Sequence, residues 1–172
     1  MIERIAQKDN IKSRAFYSGC ETYRYGLERR WGAGGWLLYV MLNPSTATEE
    51  RNDPTIERCQ RRAGALGFGA MRIANLFAFR ATDPRDLKRA KDPIGPENAA
   101  LLAQWSAEAQ MVLAAWGAHG AHLGQGAVAA GLLQGDVRHL GLTKEGHPRH
   151  PLYVSYARTP EPWPPESRYV QS

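Results

Sequence analysis

The sequence predicts an α/β protein, a three-layer α/β/α sandwich built on a mainly parallel central sheet of about four strands. Three observations carry that prediction. Apolar runs stop abruptly at polar turns: Trp36 to Leu42 breaks at Asn43-Pro44-Ser45-Thr46, and Met71 to Phe79, Met111 to Trp116 and Val137 to Leu142 repeat the pattern. Unbroken runs of that length read as strands covered on both faces. Segments with helix caps or helical spacing separate them, and strand–helix alternation calls for parallel pairing through crossovers. Finally, 172 residues at 43% hydrophobic content suit one domain with an ordinary core.

The elements follow in chain order. Residues 1–35 form an extension or edge hairpin of the same domain: Glu21 to Trp31 partly alternates, and Gly32-Ala33-Gly34-Gly35 turns into the Trp36 strand. The first fifteen residues suit a hairpin strand or a surface extension equally well. Asp53 is a good N-cap and Pro54 a good first helical residue, so a helix runs from there to about Leu66 and stops at Gly67 and Gly69. The Met71 strand is apolar except for Arg72 and Asn75. Asp83-Pro84 opens a short helix to Ala90, and Gly95-Pro96-Glu97-Asn98 a longer one to Ala109 with Leu101, Leu102 and Trp105 on one face. Beyond the Met111 strand, residues 119–134 have helical spacing. The Val137 strand empties into the loop Thr143 to Tyr153. Residues 36–156 thus form the core, and the polar, Pro-rich 157–172 a surface tail.

Composition narrows the function. The formal charge of +5 makes a polyanionic partner reasonable, though many basic proteins bind no nucleic acid. No apolar run is long enough to span a membrane, and Met1-Ile2-Glu3-Arg4 lacks a signal peptide's order, so no membrane partner and a cytoplasmic location are expected. Cys20 and Cys59 lack metal or disulfide spacing. Neither a Gly-x-x-x-x-Gly-Lys-Ser/Thr loop nor Gly-x-Gly-x-x-Gly follows the first apolar strand, and there is no Gly-x-Ser-x-Gly elbow. His119 with His122, and His147 with His150, are three apart, but no carboxylate completes a metal set. No cofactor and no metal are expected, and nothing signals an oligomer, so a monomer is expected.

The distinctive residues sit at strand ends: Asn43, Asn75 with Arg80, Trp116-Gly117, and the His147 to Leu152 loop. In open α/β sheets ligands bind just beyond the carboxyl ends of strands. Amides read donor and acceptor edges of a planar heterocycle, a histidine can donate to an oxygen that becomes negative, and basic residues suit phosphates.

Several of these segments, in order, resemble motifs of the uracil-DNA glycosylase superfamily. Leu42-Asn43-Pro44 resembles the first motif in its mismatch-specific, Asn-Pro version, and Ile73 to Thr82 the base-reading strand. Val112 to His119 is similar to the strand ending in Trp-Gly, and His150-Pro151-Leu152 to the His-Pro loop. The Asn43-Pro44-Ser45-Thr46-Ala47 and His150-Pro151-Leu152-Tyr153 signatures also resemble a bacterial family distantly related to proven glycosylases. Two departures are visible. No Phe or Tyr after Asn43 stands where a base would stack, and His147-Pro148 competes with His150-Pro151, the second being favoured because Leu152 follows it.

The resemblance implies a monofunctional N-glycosylase that flips a damaged or mispaired, uracil-type base from DNA, or handles a related RNA or nucleoside. Asn43 and His150 would be catalytic, the first orienting water and the second stabilising the departing base. Asn75, Pro44 and Phe77 would hold the base. Ser45, Thr46, Arg80, Lys144, Arg149, Leu152 and Tyr153 would contact the nucleic acid. The alternative is a non-catalytic protein that binds nucleic acid or a modified base on the same fold, and a small-metabolite enzyme is a third reading. Asn43 before Pro can equally cap a turn. Asp53 could serve as a general base but is better explained as a helix cap.

Overall fold

The computed structural model describes residues 1–163. Its central feature is one eight-stranded mixed sheet in the order β1-β2-β3-β5-β4-β6-β7-β8. The strands are β1 (Ile2–Lys8), β2 (Ile11–Tyr17), β3 (Arg24–Arg30), β4 (Leu37–Met41), β5 (Ala70–Asn75), β6 (Met111–Ala114), β7 (Val137–His139) and β8 (Glu161–Pro162). The helices are α1 (Pro54–Ala65), α2 (Pro84–Arg89), α3 (Asn98–Glu108) and α4 (Gln125–Leu132). The expected mainly parallel sheet of about four strands is therefore wrong. Parallel pairing is confined to β5-β4-β6-β7. The β1–β2, β2–β3, β3–β5 and β7–β8 pairs are all antiparallel.

The error has a physical source. Central strands covered on both faces are continuously apolar: Leu37, Tyr39, Met71, Ile73 and Leu113 pack with Ile56, Cys59 and Ala63 of α1. Leu38, Val40, Val112 and Ala114 pack on the other face with Leu87 of α2, Leu101, Leu102 and Trp105 of α3, and Ala129 of α4. The added strands carry no such run. β1 is exposed almost throughout, as an edge strand can be, and β8 is two residues of a Pro-rich segment, which only an edge tolerates. The surface tail expected from residue 157 thus contributes a strand and the buried Trp163. The rest of that tail lies outside the described residues.

Local signals placed most helices. Asp53 caps α1 through Oδ1, which accepts the Ile56 N–H at 2.9 Å, with Pro54 in the first turn. The helix expected over 119–134 is instead a 3-10 segment, Ala118–Gly124, kinked at His122 and Leu123 before α4. Gly124 at φ 65° makes that break.

Candidate functional site

The carboxyl ends of β4 and β6 open on a cavity of about 390 Å³, closed by the amino end of α1, the Ala81-Thr82 turn and the His150 loop. Each wall is fixed by hydrogen bonds. The Asn43 Nδ2 donates to the carbonyls of Ala81 at 2.7 Å, Pro44 at 3.0 Å and Phe79 at 3.5 Å. Three carbonyls around one end of the amide dictate which end is NH₂. The Oδ1 is left as a rigid acceptor. Arg24 and Arg29 pin the following loop from below: Arg24 donates to the Ala47 carbonyl at 2.6 Å, and Arg29 to the carbonyl of Thr48 at 2.5 Å and to Asn52 Oδ1 at 3.0 Å.

Across the cavity, Gly117 lies at φ 75° and donates its N–H to the Pro148 carbonyl at 2.8 Å, which ties the end of β6 to the histidine loop. A β-carbon would strain that backbone. His150 then precedes the 3-10 turn Pro151–Tyr153, and its Nδ1 accepts the Leu152 N–H at 3.3 Å. Burial pushes this imidazole below its usual range, and Asp53 acts the other way. At neutral pH it is therefore uncharged, with its proton on Nε2. Asp53, Asn43 and His150 all line the same cavity.

The structure gathers some expected site residues and disperses others. Asn43, Ser45 and His150 line the cavity. Pro44 is buried beside it and accepts from the Ala81 N–H. Arg80 lies in an adjoining open groove of about 730 Å³, shared through Ser45, Ala81 and Thr82, and stacks 5.2 Å from the Tyr17 ring. Thr46, Lys144 and Arg149 are exposed, and Leu152 is half-buried. Tyr153 is 90% exposed. Asn75 and Phe77 do not reach the cavity. Asn75 is buried in the sheet with its Nδ2 unpartnered, and Phe77 is core, 5.5 Å from the His122 ring. What holds the end of β5 is Asn98, whose Nδ2 donates to the carbonyls of Asn75 at 2.8 Å and Leu76 at 3.1 Å.

Residue-by-residue reading of the sequence missed Arg24, Thr55 and Thr82, and set Asp53 aside as a cap. Asp53 does both: Oδ1 caps the helix while the residue faces the cavity. Arg24 lies in a segment dense in charged residues, where nothing local marks one arginine as buried. Among the described residues, no cluster of three or more His, Cys, Asp or Glu could hold a metal ion, and no helix is long and apolar enough to cross a membrane.

A family model described as "Protein of unknown function (DUF1643)" matches residues 24–152, and the chain belongs to that family. No curated protein matches the chain. No solved structure matches it either. The resemblance to the uracil-DNA glycosylase superfamily is overturned by that assignment. Its motifs are two- and three-residue pairings that recur by chance, and Asn75, matched to the base-reading position, is shut inside the sheet.

Proposed function

We propose that the protein is a hydrolase that cleaves the N-glycosidic bond of a damaged or mispaired nucleobase seated in the strand-end cavity. One observation carries the reading: a neutral His150 with its proton on Nε2 shares the cavity with Asp53 and with an acceptor, Asn43 Oδ1, that cannot rotate. In this reading Asn43 Oδ1 and the Asp53 carboxylate hold a water. As the water oxygen bonds to the sugar C1′, Asp53 takes its proton, and the C1′–N electron pair leaves with the base. The neutral His150 keeps its proton and its Nε2–H hydrogen-bonds to the departing base, stabilising it as an anion that then takes a proton from solvent water. The adjoining groove with Arg80 and Arg89 supports a substrate presented on a phosphodiester strand. The free thiols Cys20 and Cys59 support a cytoplasmic setting.

The test is base release from single- and double-stranded oligonucleotides bearing uracil, mismatched thymine, hypoxanthine or xanthine. Wild type is expected to release one of them, and His150→Gln and Asp53→Asn each to lower kcat by about 10²- to 10⁴-fold. Asparagine caps helices about as well as aspartate, so Asp53→Asn keeps the fold. Release by none of the substrates overturns the proposal. Tight binding without release would instead indicate a modified-base binding protein.

A further inference from the structure

Arg24 is the charge in the cavity that the proposed hydrolysis leaves unused. It is 2% exposed, lines the cavity, and has an Nε with no hydrogen-bond partner. Apart from the Ala47 carbonyl, nothing among the described residues accepts a hydrogen bond from its guanidinium, and the guanidinium takes part in no ion pair there. Burial pulls its pKa down to about 10, so the guanidinium is charged at neutral pH. Arg80 and Arg29 add like charge to its surroundings, and Asp53 opposes them. A cation taken out of water with only a carbonyl as partner is costly unless a counter-charge arrives.

The same wall offers hydroxyls and a helix end. Ser45 and Thr55 line the cavity, and neither hydroxyl is hydrogen-bonded among the described residues. Thr55 is in the first turn of the twelve-residue α1, whose amino end carries partial positive charge. Asp53 is the acid nearest that end, and one of its oxygens is already held by the Ile56 N–H. The Arg24 guanidinium and two hydroxyls, beside the positive end of α1, form a set suited to a tetrahedral dianion.

We infer that Arg24, with Ser45 and Thr55, forms a phosphate-monoester subsite inside the cavity, so that the preferred ligand is a phosphorylated nucleoside and not a bare one. The inference rests on the reading that a nucleobase occupies the same cavity. A space of about 390 Å³ is within the range of small-ligand pockets, and a mononucleotide fits it. The phosphate can belong to a free mononucleotide or to the terminal nucleotide of a strand.

Calorimetric titration of the full chain tests this, with inorganic phosphate, deoxyuridine monophosphate, deoxyuridine, and oligonucleotides with and without a terminal phosphate as probes. Inorganic phosphate is expected to bind and to compete with the mononucleotide, which binds about 10-fold or more tighter than the nucleoside. Arg24→Met removes that gap, and Arg24→Lys restores part of it. If Arg24→Met does not fold, Ser45→Ala combined with Thr55→Val weakens phosphate binding several-fold. A gain from the terminal phosphate on oligonucleotides identifies a strand end as the source, and its absence identifies the mononucleotide. Wild type that binds nucleoside and mononucleotide equally, or ignores inorganic phosphate, overturns the subsite. Base release with no phosphate preference overturns the subsite alone, and Arg24-dependent binding without release overturns the hydrolysis alone.

Discussion

Burial holds two imidazoles, His139 and His150, below their usual range, although Glu161 pulls the first upward and Asp53 the second. The unfolded chain binds these protons as pH falls through about 6.5, while the native chain does not yet bind them. Between those limits the unfolded state holds more protons, so stability drops as pH falls and recovers as it rises. Urea unfolding followed from about pH 7.5 down to about pH 5.5 should show that loss, and His150→Gln should remove part of it. A stability that climbs toward acid would refute the assignment. At this scale the sequence was partly readable. Asn43 and His150 follow apolar or proline-marked stops, which local pattern shows. Asn75 sits in an equally suggestive place, yet the Met41–Asn75 register buries it.

Among elements, the join between the antiparallel and parallel halves of the sheet is β3 against β5. Glu28 of β3, 3% exposed, accepts from Arg14 Nε at 2.6 Å and from Arg72 Nε of β5 at 2.7 Å. Arg72 also donates to Glu108 of α3 at 2.5 Å and lies between the rings of Trp36 and Trp105, 4.3 and 4.6 Å from their centres. Gly26 admits Trp105 against β3: a β-carbon there would come within 2.2 Å of the indole. Glu28→Gln leaves a buried guanidinium short of charge and should cost about 3 kcal/mol, measured as a fall in the urea midpoint at unchanged slope. A midpoint unchanged from wild type would mean that Glu108 alone neutralises Arg72. The capped helices were legible because Asp-Pro acts within one turn. The Glu28–Arg72 pairing was not, because it joins residues 44 apart.

Over the whole molecule, the chain closes on itself through β8. Trp163 follows that strand, is 4% exposed, and meets Trp116 edge-to-face at 4.9 Å between ring centres. Trp116 lines the cavity, so the far end of the described chain braces the site. Trp163→Ala should cost about 3 to 5 kcal/mol and let Trp116 move, seen as a lower Tm together with a shifted tryptophan emission maximum. A normal Tm would show that the site does not depend on β8.

The sequence by itself determined where the chain goes under cover. Four apolar runs became the mutually parallel strands β4, β5, β6 and β7, two Asp-Pro pairs became helix starts, and Asn43 came to lie where a strand ends. Those are consequences of neighbouring residues, because two-sided burial and capping act over a few positions. Tertiary structure alone decided that residues 1–35, read as an extension or edge hairpin, supply three strands joined to the sheet through β3, that Asn75 is sealed in, and that Arg24 shares a cavity with Asp53 and His150. One-sided and edge strands need no continuous apolar pattern, and a charged residue's burial depends on register and sheet order. The irregularity at Phe16 and Tyr17, opposite the start of β3, breaks the simple alternation just where Arg24 stands.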